Sequence, residues 1–325
     1  MKTLDYKDLN IIKQLCQLNQ SQLLNTLHQY LKNKYTEIIV SKNYLIAVGA
    51  NPIGLVVHLD TVFQNPPENI FYDQTKNVMW SPEGLGADDR AGVFAVLKII
   101  QSGYRPTIIF TTDEEKGAVG ARKLIKNLNN APIKLKYLIQ LDRRGANDCV
   151  FYDCDNSVFK NYIESFGFIT NFGSFSDISF ICPTWEIAGV NLSVGYYNEH
   201  SNSEYLCVGQ LFNTIEKVKL MLKDVENIEY FKYIKMPEEK HWFQSMEFFS
   251  NIFTEEQDKK KCCLCGEQDY EYNLVPVKVK DGKILNYCIT CLNMDENIFW
   301  CLECGEPFIN ENLSDSYCED CRGKN

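Results

Sequence analysis

A chain of 325 residues with 45% hydrophobic and 23% charged side chains can bury a substantial core, in one large or two ordinary domains. Its formal charge of −10 argues against nucleic-acid binding, because phosphate contacts need a basic face. No run approaches the ~18 apolar residues of a membrane span and Met1–Asp5 lacks a following apolar stretch, so we expect no membrane anchor, no signal peptide and a cytoplasmic location.

Leu9, Ile12, Leu15 and Leu18, then Leu23, Leu24, Leu27 and Leu31, recur at helical spacing and predict one or two amphipathic helices over residues 5–34. Strands are expected over 37–40 and 44–48, and the continuous apolar run 55–59 has the character of a strand buried in a mixed or parallel sheet. The pattern continues with a helix over 89–101, a strand over 107–111, a helix over 118–128, and strands over 136–141 and 149–152. A helix over 157–166, a strand over 189–194 and a long helix over 204–223 complete the series. Strands alternating with helices indicate a layered α/β domain with a largely parallel sheet, spanning 1–224. Residues 225–260 turn charged and aromatic and read as a connecting segment, partly helical after Pro237, before a cysteine-rich module at 261–325.

The acidic and histidine motifs fall at or beyond the ends of these strands, where open α/β sheets bind ligands. His58 and Asp60 are two apart on a strand and share a face, suiting a metal-ligating imidazole and a carboxylate that orients it. Asp88-Asp89 stands between glycines at the mouth of a helix, where one carboxylate could bridge two cations; helix capping is the alternative. Asp113-Glu114-Glu115 gathers like charges that require solvent or cations to neutralise them. Asp142 ends a strand, and His200 lies in the polar segment 198–204. Each motif alone admits a structural reading. The chain has four histidines; His28 and His241 read as surface or packing residues. No phosphate-binding loop or Ser-His-Asp set is present.

In their order, HLDTV at 58–62, GADDRAG at 86–92, TDEEKGAVGA at 112–121 and EHSNSE at 199–204 resemble the co-catalytic zinc exopeptidases, the clan of dizinc aminopeptidases and glutamate-type carboxypeptidases. The resemblance covers about residues 50–220. It implies a three-layer α/β/α, phosphorylase/hydrolase-like zinc-peptidase domain with a mixed, mainly parallel sheet. It also implies one ion on His58 and Asp142, a second on Glu115 and His200, and Asp88 bridging both across a cis Asp88–Asp89 bond. Glu114 would be the general base for a water shared by the ions, and Asp60 the group that orients His58. Ser176 and Asp177 resemble a pair found near substrate in the aminopeptidase branch; Arg143 and Tyr197, with Arg144 and Tyr196, are further substrate-side candidates by position. Only 57 residues separate Asp142 from His200, too few for the inserted dimerisation domain of carboxypeptidase-type relatives, so a single-domain aminopeptidase-like unit is the better match. Zinc is the default metal, with manganese or cobalt also suited to a carboxylate-rich site. The expected activity is peptide-bond hydrolysis by an aminopeptidase. A deacylase or carboxypeptidase acting on N-acyl amino acids or dipeptides is the alternative, and an inactive scaffold acting through the tail is a third reading.

Nine of fourteen cysteines crowd into 262–321. Cys262-x-x-Cys265 pairs with Cys288-x-x-Cys291, and Cys301-x-x-Cys304 with Cys318-x-x-Cys321, enough for two structural four-thiolate zinc sites in a zinc-ribbon-like module. Cys263 is left over as a competitor to Cys262, and sequential or cross-braced pairing stays open. From Lys261 onward, 12 acidic residues stand against 6 basic ones, so the module's expected role is protein contact or domain stabilisation and not nucleic-acid binding.

Overall fold

The computed structural model describes residues 2–237 and, beyond them, 260–266, 268–269, 274–279, 283–288, 291–292, 295, 297–301 and 307–309. The predicted helix after Pro237, His241 and the ligand candidates Cys304, Cys318 and Cys321 lie outside these residues.

Two helices open the chain, α1 (Tyr6–Cys16) and α2 (Gln20–Lys32). They are separate because Asn19 begins the second one: its side chain accepts from the amide of Gln22, whose side chain returns the bond to Asn19. Then come β1 (Glu37–Val40), β2 (Tyr44–Val48), β3 (Asn51–His58), β4 (Phe71–Asp73), β5 (Val78–Trp80) and α3 (Ala87–Gln101). β6 (Pro106–Thr111), α4 (Val119–Asn127), β7 (Tyr137–Arg143), β8 (Asp148–Val150), α5 (Ser157–Glu164) and β9 (Ile169–Thr170) follow. The domain closes with α6 (Ile178–Trp185), β10 (Gly189–Ser193), β11 (Tyr196–Tyr197), β12 (Tyr205–Cys207) and α7 (Val208–Lys223).

Eight strands form one mixed sheet in the order β1-β2-β6-β3-β7-β10-β8-β9. Its centre, β6-β3-β7-β10, is parallel; β1 and β2 join antiparallel on one side, and β8 joins antiparallel on the other. The central strands read as near-continuous apolar runs because helices cover both faces. From β3 the chain crosses through α3 to β6 on one side, then through α4 back past β3 to β7. Right-handed crossovers in opposite directions place α3 and α4 on opposite faces. α1 and α7 pack with α3, and α6 packs with α4, giving three layers. Residues 144–195 supply β8, β9 and β10 of this same sheet, with α5 and α6. Beyond α7, Ile228 and Phe231 enter the core, and Lys136 Nζ donates to the carbonyls of Val225 and Ile228, so 225–237 lies against the sheet.

A second sheet, β11-β12-β5-β4, was hidden in the sequence. Residues 205–207, predicted as the start of the last helix, are strand β12, and the helix begins at Val208. Strands of two or three residues carry too little alternation to be seen as periodicity. Among the described residues, no helix is long and apolar enough to cross a membrane.

One glycine sets how closely α3 approaches β7. A Cβ on Gly92 would lie 2.1 Å from the carbonyl oxygen of Leu141 and 2.3 Å from Asp89 Oδ1. Gly92→Ala should therefore cost about 1–3 kcal/mol of stability, as overpacking does, read as a fall in the urea midpoint at unchanged slope.

Candidate active site

The parallel strands deliver their carboxyl ends to one edge, and the predicted residues meet there. His58 is the last residue of β3, Asp142 lies near the end of β7, and Glu114 and Glu115 follow β6. Asp88 sits at the start of α3, where Asp88 and Asp89 are non-helical and joined by a cis peptide bond. His200, with φ of 64°, comes from the turn of the β11–β12 hairpin.

Asp88 is the centre of this group. Its Oδ1 lies 3.0 Å from His58 Nε2, and its Oδ2 lies 3.3 Å from His200 Nε2. His58 Nε2 also stands 3.4 Å from Asp142 Oδ1, and His200 Nε2 stands 3.0 Å from Glu115 Oε1. Three groups of possible ligands result, His58–Asp88–Asp142, Asp88–Glu115–His200 and His58–Glu114–Glu115, the first two sharing Asp88. His58 Nδ1 lies 3.3 Å from Asp60 Oδ1, though not aligned as a hydrogen bond. Asp60 accepts the backbone amides of Glu114 at 2.9 Å and Glu115 at 3.0 Å, locking the end of β6 to the end of β3.

Burial opposes the charged form of Asp88, yet hydrogen bonds from His200 and His58 hold it well below the usual carboxylate range. Hydrogen bonding to Asp88 and Glu115 pushes His200 up to about 11. The site therefore favours positive charge. Burial, with repulsion from Asp142, Asp177 and Asp88 that His58 only partly offsets, pushes Glu114 up to about 9. No described side chain hydrogen-bonds the Glu114 carboxylate, and its side chain is buried beside the two groups that share Asp88. His200 is half exposed and marks the open side.

Supporting groups surround the site: the sequence offered Asp89 only as a possible helix cap, and it gave no role to Glu204 or Arg90. Asp89, fully buried, accepts the amides of His58 at 3.3 Å and Gly92 at 2.9 Å, so it fixes backbone while its neighbour faces the histidines. Glu204, also fully buried, accepts the amides of Gly86 at 2.5 Å and Asp88 at 3.0 Å. Arg90 gives its guanidinium to the carbonyls of Leu15, Leu18 and Leu59, tying the α1–α2 turn to the His58–Asp60 segment. A run of acids or a helical arginine in sequence carries no sign of such partners.

The substrate-side candidates divide. Ser176 Oγ donates to Asp142 Oδ2 at 2.9 Å, and Thr111 Oγ1 donates to Asp177 Oδ2, so both belong to the site's wall. Tyr196 OH donates to Asp142 Oδ1 at 3.1 Å. Tyr197 instead donates to Gln210 Oε1 and stacks on Tyr205. Arg143 is directed to the Phe172 carbonyl, and Arg144 pairs with Glu199.

The tail contains a second cluster. Sγ atoms of Cys262, Cys265, Cys288 and Cys291 lie close enough to share one ion, so these knuckles pair sequentially. Cys263 is exposed and outside the group, and none of the described cysteines forms a disulfide.

No protein-family model matches the chain, and no curated protein sequence matches it. Solved structures do match its fold. Aminopeptidase PepT from Bacillus cereus superposes with a TM-score of 0.56 at 16% identity, over 67% of this chain and 98% of that one. A tripeptidase from Staphylococcus aureus gives 0.54 at 15% identity, over 70% and 100%. A TET aminopeptidase from a marine-sediment thaumarchaeon gives 0.50 at 13% identity, over 68% and 98%. Identities this low establish the shared α/β fold.

Glu204→Leu should test the support beneath Asp88. It leaves two buried amides without acceptors, and stability should fall by about 2 kcal/mol or more in urea unfolding. An unchanged midpoint would show that those amides do not depend on Glu204.

Proposed function

We propose that this chain is a metal-dependent peptidase of the aminopeptidase type, with two divalent ions side by side. The observation that carries the reading is the Asp88 carboxylate, whose two oxygens reach two different histidines, each already paired with a second carboxylate. A mixed set of imidazole nitrogens and carboxylate oxygens suits zinc and also accepts manganese or cobalt. His58 and Asp142 would hold one ion, Glu115 and His200 the other, and Asp88 both. Asp60 would keep the His58 ring in its ligating orientation. Bound ions of this kind polarise a substrate carbonyl and acidify water.

The remaining chemistry belongs to the chain. Glu114, with a carboxylate that no described side chain occupies, takes the proton from the attacking water and delivers it to the leaving amine. Its burial raises its proton affinity, which suits a group that must both accept and return a proton. Ser176 and Tyr196 hold the Asp142 carboxylate from two sides. The half-exposed His200 leaves an open side for a peptide end. The fold shared with proteins described as an aminopeptidase and a tripeptidase supports cleavage near a free N-terminus. In the tail, Cys262, Cys265, Cys288 and Cys291 lie close enough together that they would supply the four thiolates of a structural zinc.

Short peptides, free or blocked at either end, test this reading. Cleavage should require a free N-terminus; cleavage of N-acyl amino acids alone would make the enzyme a deacylase. Glu114→Gln should lower turnover by about 10²–10⁴-fold with metal content unchanged, and turnover near wild type would remove Glu114 from the role of base. Chelation should abolish hydrolysis, and zinc, manganese or cobalt should restore it. Activity that persists in the metal-depleted protein would overturn the mechanism.

A further inference from the structure

The small sheet β11-β12-β5-β4 has two working faces. Successive strand residues point to opposite sides. On one side, Tyr196, Leu206 and Met79 enter the main core. On the other, Val78, Tyr205 and Cys207 form a second core, with Trp80 and Tyr197 packed against it. Its other members come from the tail and include Cys262, Val275, Val277, Tyr287, Cys291 and Leu292. Two of these are thiolates of the four-cysteine cluster.

A buried cation fastens the two parts. Lys76, in the β4–β5 turn and only 6% exposed, donates through Nζ to the carbonyls of Leu292 and Asp295, the latter at 2.8 Å. The amides of Leu292 and Asp295 in turn bond the carbonyls of Cys288 and Cys291. The lysine thus caps the turn that carries two of the four thiols. The hairpin beneath supplies three groups to the active site: Tyr196 on Asp142, His200 on Asp88 and Glu115, and Glu204 on the Gly86 and Asp88 amides.

We propose that the cysteine module is a metal-dependent brace for the active site. A metal on Cys262, Cys265, Cys288 and Cys291 shapes the surface that grips the outer face of the β11–β12 hairpin, and the hairpin fixes His200 against Asp88 and Glu115. Loss of the tail metal loosens the hairpin and weakens the hold of His200 and Glu115 on their ion. Both consequences rest on the tail-metal reading given above, and the second also on the reading of the histidine–carboxylate site as a metal site. A small module with few core residues depends on its metal for folding, so the coupling has a physical source. The outer face is also too apolar to stand in water unmoved.

The test uses the full chain and two variants. Cys288→Ser/Cys291→Ser removes the tail metal, and Lys76→Met cuts the tie while leaving every thiol in place. Amide hydrogen exchange is followed in 78–80 and 196–207, with β3, β6 and β7 as internal controls. Zinc binding at the catalytic cluster is titrated separately. In both variants exchange in the two segments should quicken by about tenfold or more, because bonds from a charged donor are lost or displaced, while the central strands keep their protection. Catalytic-site zinc should bind more weakly in the cysteine variant, and Lys76→Met should retain its tail metal. Unchanged exchange in both variants would overturn the brace. A loosened hairpin with wild-type zinc affinity would overturn its link to the catalytic ion. Neither readout uses peptide hydrolysis, so failure of the peptidase reading would leave the brace decidable.

Discussion

Buried negative charge at the edge of the central strands is the constraint around which the domain is arranged. Asp60, Asp88, Asp89, Glu114, Asp177 and Glu204 are all buried, and the side chain of Asp142 is 8% exposed. Arg90 is the buried guanidinium of the region, yet its bonds go to backbone carbonyls. Carboxylates removed from water without counter-charge either become protonated or oppose folding. Burial accordingly pushes Asp177 up to about 7 and Glu204 up to about 8. The histidine and carboxylate groups at that edge are close enough to hold cations that would offset this charge.

The carboxylates divide the work by what they face. Asp60, Asp89 and Glu204 accept backbone amides and so fix the chain: Asp60 ties the end of β6 to β3, Asp89 ties α3 to β3, and Glu204 ties the hairpin to the start of α3. Asp88, Glu115 and Asp142 face imidazoles, and Asp60 also stands 3.3 Å from the His58 ring. Asp88 and Asp89 show how local this division is, since two identical neighbours serve opposite purposes across one peptide bond. Removing an amide-bound carboxylate loosens backbone, whereas removing an imidazole-facing one changes the charge available to a ligand.

Much of the main sheet was legible in the sequence because its strands are long enough to show as apolar runs and its helices as stripes. β1 and β2 fall on their predicted spans, and β3, β6 and β7 contain theirs within a few residues. The candidate ligands were legible because acids and histidines at strand ends are poor packing material. Groups acting through distant partners were not. Glu204 is 118 residues from Gly86, and Arg90 is 75 from Leu15, so no local pattern links them. Lys76 meets partners more than 200 residues away, which no local pattern around it discloses.

Tyr196 and Tyr197 show why chemistry by position reaches a limit. The two are adjacent and identical, and both stood beside the same motif as substrate-side candidates by position. Strand parity separates them. Tyr196 points inward and donates to Asp142, whereas Tyr197 points outward, stacks on Tyr205 at 5.1 Å and bonds Gln210. Parity is readable only where several alternations establish which face is buried, and a two-residue strand offers none. Here both faces are covered, one by the main core and one by the tail, so even hydrophobicity would not have told them apart. The hairpin's assignment is therefore a property of the assembled chain: the inner face is defined by the acids it meets, the outer face by the module that closes over it.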